Sequence, residues 1–329
     1  MIRVGIVGLG MAVTPHAKSL LDLKDRAQIA YACSPSAERR KKFAERFPFA
    51  QCDRLETILE DRSVGAVLVL TPPNTHLEIA SRCAAAGKHV LLEKPLEVST
   101  ARAEELVRKT SRVKLGVVLQ HRFRPAAEKL RERLKDLGEI VSASAAIPNW
   151  RPQTYYDQPG RGTRARDGGG VLLTQGIHTL DLFLSFVGEP EEVKSFATTT
   201  PVHRMETEDL VAAAVRFKSG AIGTVHATTT AYPGFPERIE LIGTRGTALL
   251  EGTALKLHIH DEQPFEFKTE AGGGGTGADP MAFPHDWHRG VLADFLDSIE
   301  QNREPRVNGA EALKVHRFID ALLANSAMS

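Results

Sequence analysis

The sequence is poor in cysteine and in net charge, and each shortage excludes a class of protein. Its three cysteines, Cys33, Cys52 and Cys83, are odd in number and lack the paired spacing of a zinc site. This argues against a disulfide framework or a structural metal. Lysine plus arginine (42) nearly equals aspartate plus glutamate (41), and no basic stripe carries interleaved aromatic residues. We therefore expect no nucleic-acid partner, and a small neutral or anionic ligand instead.

Long hydrophobic runs and a secretory signal are also missing. Charged residues interrupt the apolar runs before they reach the roughly 20 residues that a membrane helix needs. The first residues, Met1 to Val7, run straight into an apolar strand pattern without a basic segment or a small-residue cleavage site. We expect a cytoplasmic protein without a membrane partner.

The N-terminal third of the chain has the pattern of a parallel α/β sheet. Short runs rich in Val, Ile and Leu alternate with helical patterns, which is typical of βαβ units. We predict strands at residues 2–7, 28–33, 66–70, 89–92 and 114–119. Thr75 is placed to cap a helix that ends at Gly87. With 329 residues, two domains are expected: a Rossmann dinucleotide-binding domain over 1–120, and a second over 121–329.

The second domain is predicted to be α+β, with an open, mostly antiparallel sheet. Hairpins are indicated at 209–217 with 221–230 and at 237–243 with 247–251, and a further strand at 254–260. Residues 271–277 have too little side chain to pack and predict a mobile loop. Helices are predicted from Pro284 onward and over 309–325, and these last helices can pack back on the first domain. An open sheet needs its second face covered unless that face is polar, so we expect a homodimer or homotetramer.

A glycine turn follows the first predicted strand. Gly8, Leu9, Gly10 and Met11 stand where a dinucleotide pyrophosphate approaches backbone N–H groups at a helix N-terminus. Val13 replaces the third glycine of the fingerprint, but Pro15 fits a first helical turn after Thr14. This motif predicts cofactor contacts by the four residues of the turn.

The tip of the second strand lacks the carboxylate with which NAD enzymes bind the ribose hydroxyls. Ser34 stands there, and Arg39 follows five residues later. A hydroxyl and a guanidinium suit a 2′-phosphate, so NADP is favoured over NAD. The alternative is that Arg39 belongs to the solvated face of the next helix.

Three segments carry a family resemblance. They are Leu70-Thr-Pro-Pro-Asn-Thr-His76, Val90-Leu-Leu-Glu-Lys-Pro-Leu96, and the stretch from Asp167 through Gly168-Gly-Gly170 to His178 and Asp181. In order and spacing the chain resembles the Gfo/Idh/MocA family, relatives of glucose–fructose oxidoreductase and inositol dehydrogenase. The resemblance covers nearly the whole chain.

The resemblance implies roles for residues of the first domain. Cofactor contacts are expected from Thr71, Pro72, Asn74, His76, Glu93, Lys94 and Gln120. Lys94 is expected to reach the substrate hydroxyl, and its bond to Pro95, often cis in relatives, is expected to aim it.

The resemblance also makes His178 the expected general base, since a lone His among Leu and Phe is otherwise more often a core residue. Asp181, three residues later on the same helical face, could orient its ring. Many relatives carry an Asp four residues before this His, where this chain has Thr174. That departure weakens the case for inositol itself as substrate.

Other candidates for substrate contact surround these motifs. They are Arg122, Trp150, Tyr155, Thr174 and Gln175, with His121 as a further neighbour of Gln120. The aromatic residues suit stacking on a sugar ring, or equally a loop anchor. His285 and His288 have HxxH spacing, but without a third ligand in the sequence nearby we expect no metal.

These residues together predict an NAD(P)-dependent oxidoreductase that interconverts a secondary alcohol and a ketone on a sugar, cyclitol or sugar derivative. Two alternatives stay open. In the first, the chain is a glycoside hydrolase, since some relatives keep the cofactor bound and cleave a glycoside. In the second, it is a nucleotide-bound sensor, since a repressor that binds another protein shares the fold. The presence of Lys94 and His178 argues against the sensor.

Overall fold

Six parallel strands form the core of the first of two units into which the chain divides. The structure, a computed structural model, describes residues 1–269 and 284–324. Residues 1–120 and 285–313 belong to the first unit. Its strands lie in the order β3-β2-β1-β4-β5-β6. They are β1 Ile2–Val7, β2 Ala27–Cys33, β3 Gln51–Cys52, β4 Val64–Val69, β5 His89–Leu92 and β6 Leu115–Val117. The five predicted strands are confirmed, and the two-residue β3 is too short to have left a pattern.

The helices of the first unit connect these strands and cover the sheet. They are α1 Val13–Asp22, α2 Ala37–Ala44, α3 Leu55–Glu60, α4 His76–Ala85, α5 Thr100–Lys109 and, from the far end of the chain, α10 Asp286–Glu300. Thr75 does precede α4, but its hydroxyl oxygen lies 2.8 Å from both Thr71 Oγ1 and the Pro72 carbonyl oxygen and forms hydrogen bonds there rather than capping the helix. Gly87 follows α4 with φ +72°, as predicted for a helix stop.

Helix α10 packs against α1 within this unit. Ser19 donates to the His285 carbonyl at 3.1 Å, and Arg26 binds Asp297 at 2.6 Å. This contact brings residues more than 250 positions apart in the sequence onto the same sheet.

The second unit contains an eight-stranded mixed sheet. Among the described residues it holds 121–269, 284 and 314–324. The strands lie in the order β14-β13-β12-β11-β7-β10-β9-β8, with β7 and β10 parallel and the neighbouring pairs antiparallel. They are β7 Ile140–Pro148, β8 Pro190–Thr198, β9 Leu210–Phe217, β10 Ile222–Thr228, β11 Arg238–Gly243, β12 Gly246–Glu251, β13 Ala254–Ile259 and β14 Phe265–Lys268.

The predicted hairpins β9–β10 and β11–β12 and the strand β13 are confirmed. The other helices are α6 Pro125–Arg133, α7 Gln153–Tyr156, α8 Arg164–Asp167, α9 Ile177–Val187 and α11 Gly309–Ala324, which begins in the first unit. The loop predicted at 271–277 lies outside the described residues.

Among the described residues, one helical stretch is long enough and, over an 18-residue window, apolar enough to match a membrane span. It covers Arg164–Val187, and charged residues interrupt it as predicted. However, 83% of that window is buried inside the structure, as in the core helix of a folded domain.

Candidate active site

The glycine turn after β1 combines a crowded glycine with an open one. Gly8 has φ +103°, and a Cβ there would lie 2.8 Å from the backbone of Leu70. A Cβ on Gly10 would meet nothing within 4 Å. No described side chain caps α1 at its N-cap residue, Ala12. Open space beside an uncapped helix N-terminus fits the pyrophosphate of a dinucleotide.

The tip of β2 is organised by hydrogen bonds around Ser34. Its hydroxyl accepts from the Ser36 N–H at 3.3 Å, and its carbonyl accepts from the Arg40 guanidinium at 2.5 Å. Arg39 has an exposed side chain, and its N–H donates to Ser36 Oγ at the start of α2. Arg40, which no local pattern singled out, is therefore the arginine that binds this tip. Its six-residue separation from Ser34 matches no standard local pattern.

His76 joins the loops that follow β4 and β5, which corrects its predicted role as a cofactor contact. One ring nitrogen lies 2.9 Å from the Thr71 carbonyl, and the other lies 3.0 Å from the Pro95 carbonyl. The side chain is fully buried, so it offers no surface to a ligand. Burial lowers the pKa of His76, and the neutral ring bridges the two loops. By contrast, Pro72 and Asn74 are exposed and Thr71 is half-buried.

Glu93 and Lys94 lie directly beyond β5. The Lys94–Pro95 bond is cis, as the resemblance implied. Glu93 Oε2 accepts from the Lys94 N–H at 3.0 Å, and Glu93 Oε1 lies 2.8 Å from His16 Nε2. Burial would raise the pKa of the Glu93 carboxyl, but the hydrogen bond and charge of His16, aided by His288 and Lys94, lower it to about 2.

The two histidines of the HxxH pair are separated in the structure. His285 lies 2.9 Å from Asp22. His288 is buried, and its ring packs edge-on against His16 with the ring centroids 4.9 Å apart. One potential ligand atom from each of His16, Glu93 and His288 lies within 4.8 Å of the others. No local sequence pattern indicates this cluster, because its members are distant in the chain.

Gln120, the last residue of the segment 1–120, has a polar side-chain atom without a hydrogen-bond partner among the described residues. Its side chain is 5% exposed, and this atom, Oε1, is buried. Buried amide oxygens normally have a partner. This orphan acceptor, just past the carboxyl end of β6, fits a polar ligand group.

In the second unit, His178 lies near the start of α9 and stacks on His121. The ring centroids are 4.9 Å apart and the planes are 29° from parallel. The Arg124 guanidinium contacts His121 Nε2, and Arg124 also pairs with buried Glu237 at 3.0 Å. Because Nε2 faces a permanent cation, we assign the His121 proton to Nδ1. His121 therefore presents a neutral ring face to His178.

Arg122 and Asp181 form a buried, two-pronged ion pair. Arg122 Nε and Nη2 donate to the two carboxylate oxygens at 2.7 and 2.6 Å. The Asp181 carboxylate was expected to orient His178, but the structure places both of its oxygens on Arg122. Arg122 was expected to contact the substrate, but its Nε and Nη2 donors are both bound to Asp181.

Glu208 explains the last glycine of the run before His178. A Cβ on Gly170 would lie 1.8 Å from the Glu208 carbonyl. The Glu208 carboxyl accepts from the N–H groups of Gly170 at 3.0 Å and Leu172 at 3.3 Å. A π-helical turn, Leu172–Gly176, begins here and leads into α9. Such turns interrupt regular helices and often occur at functional sites.

Of the remaining candidates, Thr174 and Gln175 lie on this turn, and Trp150 and Tyr155 pack against other side chains of the second unit. Thr174 donates to the Gly170 carbonyl at 2.6 Å and also contacts Gln175. Trp150 packs edge-on against Tyr232, with the ring centroids 5.4 Å apart, and the Arg161 guanidinium lies 4.9 Å from the Tyr155 ring centroid. Both aromatic rings are half-buried, so part of each stays accessible.

Comparisons with known proteins decide the family. An oxidoreductase family model with an NAD-binding Rossmann fold matches residues 2–121, and the Gfo/Idh/MocA C-terminal domain model matches residues 127–249. The chain belongs to the Gfo/Idh/MocA family. This confirms the resemblance, the fold class and the assignment to an oxidoreductase family.

Curated relatives and solved structures of the Gfo/Idh/MocA family align along most of the chain. Myo-inositol 2-dehydrogenase of Thermotoga maritima is 28% identical over 94% of this chain and 92% of its own length. The 1,5-anhydro-D-fructose reductase of Ensifer adhaerens is 29% identical over 87% and 85%. The WlbA dehydrogenase of Bordetella pertussis, solved with NADH and UDP-GlcNAcA, is 26% identical and has a TM-score of 0.83, covering 99% of this chain and 96% of its own.

This Gfo/Idh/MocA member thus carries the glycine turn and the Glu93-Lys94-Pro95 segment at the carboxyl edge of one parallel sheet. That edge is where open α/β sheets bind ligands. The family match supports NAD binding, and it leaves the choice between NAD and NADP to the residues at the tip of β2.

Proposed function

We propose that the protein is an NAD(P)-dependent dehydrogenase acting on a secondary alcohol of a sugar, cyclitol or sugar derivative, or reducing the matching ketone. The observation that carries the proposal is the pairing, on one sheet edge, of an open glycine turn with a lysine held after β5. Two of the relatives named above are a dehydrogenase of inositol and a reductase of anhydrofructose, and the third was solved with a UDP-linked sugar derivative, which supports this substrate class.

Lys94 and His178 carry the acid–base chemistry in this proposal. The nicotinamide supplies hydride transfer when it is bound. The Lys94 ammonium donates a hydrogen bond to the substrate oxygen and stabilises negative charge there. His178 accepts the hydroxyl proton, and the neutral ring of His121 beside it places no second positive charge against the imidazolium that forms.

The dinucleotide is proposed to lie along the carboxyl edge of the first unit's sheet. The residues proposed to contact it are Gly8, Leu9, Gly10, Met11, Ser34, Arg39, Thr71, Pro72, Asn74, Glu93, Lys94 and Gln120. We favour NADP, because the β2 tip has Ser34 and the exposed Arg39 in place of a carboxylate.

For the substrate we propose contacts from the second unit as well as from Lys94. Trp150 and Tyr155 offer partly accessible ring faces, which suit the apolar face of a sugar. Thr174, Gln175, Arg122 and His178 complete the proposed set. Three free, buried thiols agree with a reducing compartment, and we propose a cytoplasmic location.

We also propose that the open face of the second unit's sheet forms a homo-oligomer. Phe196 on β8 is 80% exposed, and the residues aligned with it on the neighbouring strands are Ala212, His226 and Ala146. We expect light scattering to give a dimer or tetramer, and Phe196→Glu to shift it toward the monomer. A monomeric wild-type protein would refute this interface.

The test of the dehydrogenase is a panel of sugars and polyols with NAD⁺ and NADP⁺, followed at the absorbance band of reduced nicotinamide. We expect turnover with at least one polyol, and a loss of about 10²–10⁴-fold in kcat for Lys94→Ala and His178→Asn. The exposed residues Lys109 and His258 give matched controls, Lys109→Ala and His258→Asn, which should retain activity. Glycoside cleavage without net cofactor turnover would favour the hydrolase alternative, and unchanged cellular function in both variants would favour the sensor.

A further inference from the structure

Three buried side chains meet beneath the Lys94 loop of the first unit. His16 projects from α1, Glu93 follows β5, and His288 projects from α10. His16 is fully buried and His288 is 3% exposed. Since none of the three has a place in the proposed proton transfer, their convergence needs its own explanation.

The contacts favour a hydrogen-bonded network over a metal site. Two imidazoles and a carboxylate are donors that zinc accepts. However, both Glu93 oxygens are already engaged: Oε1 lies 2.8 Å from His16 Nε2, and Oε2 accepts from the Lys94 N–H at 3.0 Å. A separation of 2.8 Å is a hydrogen bond, and it is short for two atoms bound to one tetrahedral zinc ion.

We propose that His16 is a positioning residue for Lys94: it holds the Glu93 carboxylate in one place, and that carboxylate holds the Lys94 backbone N–H. The proposal rests on the proposed function, in which Lys94 contacts the substrate. Its structural half is a chain of two hydrogen bonds from α1 to the Lys94 backbone. This half involves residues of the first unit only and does not depend on the proposed function.

Charge explains why a histidine is suited to this position. The titratable or charged groups facing Glu93 are His16 from α1, His288 from α10 and Lys94 beside it. Burial, followed by the nearby charge of His16, lowers the pKa of His288 to about 3, so His288 packs against His16 as a neutral ring. Without His16, burial would favour the protonated Glu93 carboxyl, which is a poorer acceptor for the Lys94 N–H.

Amide hydrogen exchange tests the structural half without any substrate. In protein labelled with ¹⁵N-lysine, we expect His16→Leu to speed exchange at the Lys94 amide by about tenfold or more. His16→Gln keeps an N–H donor and should restore most of the protection.

His89, at the opposite end of β5, gives a matched control. Its Nδ1 accepts from the Lys114 N–H at 3.0 Å. His89→Leu should therefore speed exchange at Lys114 and leave Lys94 protected, whereas His16→Leu should do the reverse. Unchanged exchange at Lys94 in His16→Leu, or equal acceleration at both lysines, would overturn the proposal. Stoichiometric zinc in the purified protein would overturn it too.

Kinetics on a substrate found by the panel tests the functional half. We expect kcat of His16→Leu to fall by about 10²-fold, since a misplacement of about 1 Å at a reacting group can have that effect, while the KM for the nucleotide changes little. Loss of His16 should raise the pKa of Glu93, so the activity of His16→Leu should also fall as the pH drops through that higher pKa. His16→Gln should recover part of kcat. Unchanged kcat would refute positioning. If the wild-type chain oxidises nothing, the proposed function fails, while the exchange measurement still decides whether His16 holds Lys94.

Discussion

Gly8 and Gly10 belong to one turn but meet different surroundings, so alanine should affect them differently. In Gly8→Ala the residue would keep φ near +103°, and its Cβ would press on the Leu70 backbone. We expect a loss of about 2 kcal/mol or more in the free energy of unfolding. In Gly10→Ala the methyl group enters open space, so stability should change by less than about 0.5 kcal/mol.

The same pair of variants separates folding from cofactor binding. If pyrophosphate lies beside Gly10, Gly10→Ala should weaken nucleotide affinity by about tenfold or more at unchanged thermal stability, because the methyl group occupies the ligand's space. Denaturant unfolding and nucleotide titration measure the two effects. Equal nucleotide affinity in wild type and Gly10→Ala would place the pyrophosphate elsewhere.

Single residues also show which site features a sequence can reveal. Lys94 and His178 were predicted because each lies in a short contiguous motif that keeps its spacing. His16, Arg40 and Glu208 were missed because their partners, Glu93, Ser34 and Gly170, lie outside any local pattern. Conversely, His76 was assigned to the cofactor because it ends such a motif, and only packing shows that it is enclosed.

Glu208 accepts two backbone hydrogen bonds at the start of the π-helical turn before α9, and its burial predicts a pH effect. Burial raises the pKa of the Glu208 carboxyl, against the hydrogen bonds from its own backbone, Leu172 and Gly170. The native state therefore holds this proton more tightly than the unfolded chain does. Its contribution favours folding at low pH, and it declines as the pH rises from the unfolded pKa through the folded one.

Glu208→Gln removes this ionisation and keeps an oxygen acceptor. We expect the free energy of unfolding of the variant, relative to wild type, to increase between about pH 4 and pH 7. Denaturant unfolding at several pH values measures the difference. The exposed neighbour Glu206 gives the control, Glu206→Gln, which should lack this trend. A decrease in the relative stability of Glu208→Gln over the same range would contradict the assignment.

At the scale of elements, local periodicity predicted the strands that have strong apolar runs or tight turns. The parallel strands of the first sheet and the hairpins of the second fall in this group. Strands β7, β8 and β14 were not predicted. The inward-facing side chains of β7 are largely small, as with Ala143 and Ala145, and charged residues dominate the exposed face of β8. These strands pair with partners that are distant in the sequence, so the local sequence pattern gives little indication of them.

For the whole molecule, the near-balance of charge and the two family domains agree with an enzyme for small polar substrates. Neither property identifies the sugar, since the shape of the substrate site decides that. What the whole chain must do, under every version of the proposed reaction, is bind a nicotinamide dinucleotide.

The most direct test is therefore a titration of the purified protein with NADPH and NADH, followed by nicotinamide fluorescence. We expect saturable binding with NADPH favoured, and a specific loss of that preference in Arg39→Ala. Preference for NADH would change the proposed cofactor from NADP to NAD and would leave the oxidoreductase assignment unchanged. Binding of neither nucleotide would contradict the account as a whole.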